Sequence, residues 1–294
     1  MLGKFVFVIM EWGDDMNTIL LVDGSNLLFQ MFYGMPNEIK GKHGADIRGT
    51  VGFVGAILRM IKMTEPSHVA IFFDGEHENE RCGISAEYKA NRPDYSNMSI
   101  EETPFCQLPY IYAALEEMGI RHSETSICEA DDWLSGYALK YGMDNNIIIS
   151  SGDSDLFQLI TSNVKILRYR GEQSVLCDKE YVYNKLGVYP ERYADFKSLT
   201  GDSSDNIKGC DKVGTKTAAA LVAQFASLEA LIEGADGISK PSIRKSVIEC
   251  KERILLNRRL IKLEYRGELP FAIEEIAYNK KYSSSRSVLD TLGI

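Results

Sequence analysis

The chain has 294 residues, 45% of them hydrophobic and 26% charged, with a formal net charge of -9, which suits one α/β body with a smaller helical extension. No apolar run approaches the roughly 20 residues that cross a bilayer, and the run 5–10 meets Glu11 and Asp14 without a cleavage site, so neither a membrane span nor a secretory signal is expected and the cytoplasm is the expected location. Cys82, Cys106, Cys128, Cys177, Cys210 and Cys250 form no C-x-x-C pair and have no histidine at zinc spacing, so they are expected to be reduced and mostly buried, with neither a disulfide framework nor a zinc site.

In chain order, the aliphatic runs 18–22 and 68–73 end at Asp23-Gly24 and Asp74-Gly75. A third run, 146–150, leads to Ser151-Gly152-Asp153, and 164–167 is a fourth strand candidate. Apolar runs of this length suit buried parallel strands. Helical patterning falls between them at 25–33, 50–62, 105–118 and 130–140. The alternation predicts an open, mostly parallel sheet with helices on both faces. The polar stretch 76–103 is long for an idle connection and is expected to be functional or mobile. After about Pro190 the strand signals stop, and 191–199, 215–225, 227–232 and 242–256 read as helices. This gives an extension 1–15, an α/β domain 16–190 and a helical domain 191–294.

Three strands end in aspartate, and in an open α/β sheet the carboxyl ends of the strands line the ligand crevice. Asp23, Asp74 and Asp153 therefore share one rim. Glu129, Asp131 and Asp132 precede a helix, Asp155 follows Asp153, and Asp202 and Asp205 open the helical domain. Any one such aspartate is more often a turn or capping residue. Nine acids at strand ends and helix starts exceed what capping requires. If they converge they cannot all ionise without cations, because like charges raise one another's pKa. Mg²⁺ or Mn²⁺, which take oxygen ligands, fit a set without histidine, and two such ions can activate a water and stabilise a leaving oxygen. The net negative charge argues against a nucleic-acid partner. The distribution reverses this: Lys240, Arg244, Lys245, Lys251, Arg253, Arg258, Arg259 and Lys262 face only Glu249 and Glu252 in that run.

The motifs Leu21-Val22-Asp23-Gly24-Ser25-Asn26, Phe73-Asp74-Gly75, Tyr88-Lys89-Ala90-Asn91-Arg92-Pro93, Glu129-Ala130-Asp131-Asp132 and Ser151-Gly152-Asp153-Ser154-Asp155-Leu156 resemble the flap endonuclease and 5′–3′ exonuclease family. That family includes the 5′ nuclease domain of bacterial DNA polymerase I and small phage exonucleases. The resemblance continues in family order through Gly201-Asp202-Ser203-Ser204-Asp205-Asn206-Ile207 and Val213-Gly214-Thr215-Lys216-Thr217-Ala218 to Asn257-Arg258-Arg259-Leu260, covering about residues 18–270.

It implies a first metal site at Asp23, Asp74, Glu129 and Asp131 and a second at Asp132, Asp153, Asp155, Asp202 and Asp205, the split between Asp131 and Asp132 being left open. It further implies a helical arch at 76–103, with the catalytic cations Lys89 and Arg92 at its base and Tyr88 beside the DNA. A helix-hairpin-helix at about 200–224 would hold phosphate through Gly209, Gly214, Thr215, Lys216 and Thr217. Gly209 and Gly214 are expected at turn positions with unusual dihedrals. The family usually has a third glycine where Lys212 stands, which bears on the K⁺ ion bound there.

The implied activity is a two-metal 5′ nuclease acting on DNA flaps or 5′ ends, with RNA primers as a further substrate, as a stand-alone monomer. Residues 1–15 have no place in the pattern, and Met16 makes a natural start. A PIN-like ribonuclease is the competing enzyme, but it needs neither Asp202 and Asp205 nor the hairpin. A non-catalytic DNA-structure binder is the other alternative, which loss of an acid would have favoured.

Overall fold

The structure, a computed structural model, describes residues 16–42, 44–75, 77, 80–93, 95, 98–279, 282 and 284–294. The extension 1–15 and the start of the expected arch at Glu76 lie outside the described residues.

Six strands form the main sheet: β1 (Thr18–Asp23), β2 (His68–Phe73), β3 (Arg121–Glu124), β4 (Asn146–Ser150), β5 (Val164–Arg168) and β6 (Val175–Cys177). Their order is β3-β2-β1-β4-β5-β6, parallel except for β6, which runs antiparallel to β5. Side chains alternate across β1. Ile19 and Leu21 enter one core with Phe72, Ile147 and Ile149, whereas Leu20 and Val22 enter the other with Val69, Ile71, Phe73 and Ile148. Burial on both faces explains why these strands read as unbroken apolar runs.

The helices α1 (Gly24–Gly34), α2 (Arg48–Thr64) and α4 (Leu108–Met118) cover the second face, while α5 (Ala130–Tyr141) covers the first through Trp133, Leu134 and Tyr137. Between α2 and α4 lies the short α3 (Glu80–Ile84), and α6 (Lys179–Leu186) follows β6. β1 and β4 are neighbours in the sheet although far apart in sequence, so the topology reverses between them. This is where doubly wound folds open their crevice. The strands β3 and β6 were not anticipated, because Arg121-His122-Ser123-Glu124 is polar and β6 has three residues.

A third core holds Phe196, Leu199, Val213, Leu221, Val222, Leu231, Val247 and Ile254. It is built from α7 (Tyr193–Thr200), α8 (Thr215–Gln224), α9 (Leu228–Glu233), α10 (Pro241–Glu249) and α11 (Lys251–Ile261). Three expectations change here. A two-residue hairpin of β7 (Gly201–Asp202) and β8 (Ile207–Lys208) interrupts the helices. The single helix expected at 242–256 is two, broken at Cys250.

The helical extension also does not run to the end of the chain. The described residues from 263 onward return to the α/β body, where Ala277 bridges His68, the Tyr278 N–H donates to the Ser67 carbonyl, and Ile276 and Val288 are buried. Val288 belongs to α12 (Ser285–Thr291), which packs on α2 and α4.

The expectation of six reduced cysteines is corrected at Cys210 and Cys250, which form a disulfide with Cα atoms 6.0 Å apart. The turn after β8 and the junction of α10 with α11 meet in the third core, within the reach of such a bond. Cys128 and Cys177 are buried thiols, and Cys82 and Cys106 are half-buried. No helix among the described residues is long and apolar enough to cross a membrane.

Candidate metal and phosphate site

The site grows from the carboxyl ends of β1, β2 and β4. Asp23 closes β1 and caps α1, accepting the Asn26 N–H at 2.9 Å and the Ser151 hydroxyl at 2.8 Å. It therefore ties the β1 end to the β4 end. Asp74 follows β2, its N–H donating to the Ser25 hydroxyl at 2.8 Å and its carboxylate accepting the Ala130 N–H at 2.8 Å. That bond draws the start of α5, and with it Asp131, to the rim. Asp153 follows β4 and accepts the Asp155 N–H at 2.8 Å.

Electrostatics show that these acids face one another. Burial, then Asp74, pushes the Asp23 carboxyl up to about 7. Burial, then Asp153, Asp23 and Asp74, raises Asp131 well above the carboxylate range. Asp155 is pushed up to about 7 by burial and then by Asp153. Asp205 is also raised by burial, although Lys89 and Arg92 oppose the shift.

Protein cations hold Glu129 and Asp202 ionised. Burial works against the charge on Glu129, but Lys89 and Arg81 outweigh it and its pKa is lowered. Lys89 Nζ pairs with one Glu129 oxygen, and Arg81 (2.8 Å) and the Tyr88 hydroxyl (3.0 Å) donate to the other. Burial likewise opposes ionisation of Asp202, and Lys197 and Ser204 overcome it. Lys197 also lies 3.8 Å from Asp155. Arg92 reaches Asp205 at 3.1 Å.

The nine acids thus divide unevenly. Asp23, Asp74, Asp131 and Asp153 form one mutually repelling group, Asp155 and Asp205 join it through Asp153, and Asp202 joins through Asp155. Glu129 stands behind Lys89. Asp132 is turned to other work: both its oxygens are taken by Arg81, and one also accepts the Glu129 N–H in the capping box of α5.

Among the described residues no group of three His, Cys, Asp or Glu side chains is close enough to grip one ion. An oxygen-only set fits Mg²⁺ or Mn²⁺ nonetheless, because Mg²⁺ keeps several waters and takes one or two carboxylates directly.

Arg81, Lys197 and Ser151 escaped the sequence reading. Arg81 sits in the polar stretch without a spacing signal, and also donates to the Leu260 carbonyl at 3.0 Å, joining α3, α5 and α11. Only its pairing with two acids far away in sequence reveals it.

In the hairpin, Gly214 is extended at φ -87°, and Gly209 is absent from the left-handed positions. The expectation of unusual dihedrals there is corrected. Gly209 is needed for close approach, since a Cβ would lie 2.3 Å from the Thr200 carbonyl. The left-handed residue of the turn is Lys212, at φ 65°. Thr215, Lys216 and Thr217 form the first turn of α8, which carries no acid, and Thr215 and Lys216 are exposed. Of the eight cations between 240 and 262, Arg244, Lys245, Arg253, Arg258 and Lys262 bond within the protein. Lys240, Lys251 and Arg259 remain exposed.

Comparison with known proteins follows the same outline. Residues 18–187 match the 5′-3′ exonuclease N-terminal resolvase-like domain, and residues 188–284 match the 5′-3′ exonuclease C-terminal SAM fold. DNA polymerase I of Streptococcus pneumoniae is 31% identical over 273 residues, 90% of this chain and 30% of the polymerase. DNA polymerase I of Bacillus subtilis is 31% identical over 267 residues, 88% and 29%. The chain spans less than a third of the length of these relatives. In fold it is similar to the T5 5′-exonuclease with bound zinc, at TM-score 0.68, 21% identity and coverage of 84% of this chain and 89% of that one. The catalytic core of Rad2 in complex with a DNA substrate gives TM-score 0.60, 16% identity, 95% and 89%. With both domains matched in order over residues 18–284, the chain belongs to the 5′-3′ exonuclease family.

Proposed function

We propose that the chain is a structure-specific 5′ nuclease that hydrolyses DNA at 5′ flaps or free 5′ ends, leaving 5′-phosphate and 3′-hydroxyl termini. The observation that carries this reading is the group Asp23, Asp74, Asp131 and Asp153 at the sheet's switch point, whose mutual repulsion calls for cations. Asp23, Asp74, Asp131 and Glu129 would hold one Mg²⁺ or Mn²⁺ ion, and Asp153, Asp155, Asp202 and Asp205 a second, while Asp132 serves Arg81. Two such ions supply an activated water and charge for the leaving oxygen.

The chain's own groups do the positioning. Lys89, next to the acids but held by Glu129, is placed to turn toward the scissile phosphate, and Arg92 stands beside it at the arch base. The Tyr88 hydroxyl fixes Glu129, and Lys197 holds Asp202. The first turn of α8 with Thr215, Lys216 and Thr217, approached through Gly209 and Gly214, anchors a duplex phosphate. Carbonyls of the same turn are the proposed K⁺ ligands. Division at about residue 190 separates cutting from anchoring. RNA-primed strands, a monomeric state and a cytoplasmic setting complete the reading.

The test is 5′-flap DNA labelled at either end, incubated with Mg²⁺ and with chelator. Expected are cuts near the branch bearing a 5′-phosphate, in Mg²⁺ only. Full activity in chelator, or 3′-phosphate products, would refute the proposal.

A further inference from the structure

A recess of about 350 Å³ at the acids is lined by Asn26, Gly152, Asp153, Ser154, Lys197 and Asp202. A second groove, of about 460 Å³, shares Asn26 and Gly152 with it and ends at Arg168, Tyr169 and Arg170. The two make one trough, running from the acids past the end of β4 to the β5–β6 connection. A volume of this order suits a nucleotide-sized ligand and is far too small for a duplex.

The wall at the far end is built and basic. Arg168 Nη2 donates to the Gly152 carbonyl and lies 3.3 Å from the Ser154 hydroxyl, with its guanidinium 5.4 Å from the Phe157 ring centre. Arg168 is thus a strut that fixes the loop carrying Asp153. Arg59 of α2 lies beside the Tyr169 hydroxyl and favours its ionised form, against burial. Gln30 Nε2 donates to the Tyr169 carbonyl at 2.9 Å, and the Arg170 N–H donates to the Ser174 hydroxyl at 2.9 Å. The backbone around Arg170 is therefore pinned. Its side chain is exposed and enters no ion pair among the described residues, unlike Lys89, Arg92 and Lys197. An unpaired guanidinium on a pinned loop, at the open end of a trough leading from the acids, is suited to a phosphodiester oxygen.

We propose that this trough carries an unpaired nucleotide adjoining the scissile phosphate and that Arg170 holds that nucleotide's backbone phosphate, as a positioning residue. The proposal rests on the reading of the acids as a DNA-cutting site. Affinity here comes from charge, without reading base identity.

The test uses Arg170→Ala and Arg170→Lys in the full chain. Anisotropy of labelled 5′-flap DNA in chelator over a range of salt reads binding without cutting. Single-turnover cleavage in Mg²⁺ separates half-saturation from maximal rate. For Arg170→Ala, half-saturation on flap DNA should rise about 5-fold to 10-fold, and the log–log salt slope should fall by about 0.7, the value for one single-strand phosphate. Arg170→Lys should recover most of both. An unchanged slope and half-saturation in Arg170→Ala would overturn the proposal, as would an equal loss on blunt duplex without unpaired nucleotides. Failure of the wild-type chain to cut in Mg²⁺ would instead count against the nuclease reading, and the chelator measurement would still decide Arg170.

Discussion

Lys89 concentrates the chemistry of a single residue. It lies in the left-handed region at φ 57°, and its N–H donates to the Asp205 carbonyl at 2.9 Å, so the backbone is held where a side chain other than glycine carries strain. Burial disfavours its charge, yet Glu129 and Asp205 outweigh burial and its pKa is raised. It stays a cation at any working pH. A cation serving the transition state changes turnover more than affinity. Lys89→Ala is therefore expected to lower the saturated single-turnover rate by about 10² to 10³, with DNA affinity changed a few-fold. A rise in half-saturation alone would reduce Lys89 to a backbone contact. The aspartates give a second expectation, for protein in chelator. Asp23 and Asp155 move from the ordinary 3.8 to about 7 on folding, and Asp131 moves the same way. The native state thus binds more protons than the unfolded chain between about pH 4 and 7, so stability falls as pH rises through that window. Glu129 and Asp202 are shifted downward and act oppositely, but only near and below their ordinary range. Melting in chelator should drop by several degrees from pH 5 to pH 8, and added Mg²⁺ should restore more at pH 8 than at pH 5. A flat profile, or equal gains at both, would contradict the clustering of these acids.

At the scale of elements, the helical hairpin is secured from outside itself. The Cys210–Cys250 bond ties the turn before α8 to the start of α11, Ser246 donates to the Asp211 carbonyl, and Arg253 donates to the Gly209 carbonyl at 3.2 Å. With the linked positions 40 apart in sequence, the chain-entropy relation gives about 4 kcal/mol. Reduction, or Cys250→Ser, is expected to lower the melting temperature and speed amide exchange in α8 and α10 before the sheet is affected. Equal melting with and without dithiothreitol would show that packing alone holds the turn. This pair marks where sequence reading stops. The strands β1, β2 and β4 were legible because burial on both faces leaves a continuous apolar run, and Asp23, Asp74 and Asp153 were legible because they end those runs. β3 was hidden because the strand Arg121-His122-Ser123-Glu124 carries no apolar residue and is only partly covered. The disulfide and the pairing of Arg81 with Asp132 depend on which distant elements meet. Spacing along one chain without alignment carries no such information.

Over the whole molecule, charge is segregated rather than absent. Of the chain's 42 acids, nine gather at or beside the strand ends, while Lys212 and Lys216 at the hairpin and Lys240, Lys251 and Arg259 beyond it are exposed without ion pairs among the described residues. A phosphate backbone reaching both regions is attracted at one end and repelled at the other until cations arrive, because charged clefts focus the field. Most of the binding energy should therefore come from the helical side, with each phosphate neutralised steepening the log–log salt dependence by about 0.9 on duplex DNA. Removing an acid should then separate holding from cutting. Asp153→Asn deletes a charge that repels Asp23, Asp131, Asp155 and Asp205 and keeps the side-chain oxygen that caps the Asp155 N–H. In chelator at low salt the variant should bind flap DNA about 3-fold to 10-fold more tightly than the unaltered chain, as expected for about 1 kcal/mol of relieved repulsion at a partly exposed position. In Mg²⁺ it should not cut. The gain should shrink as salt rises and the Debye length falls below the separation of acid and phosphate. Normal cutting by the variant would remove Asp153 from the site, and weaker binding in chelator would mean that the DNA does not approach this rim.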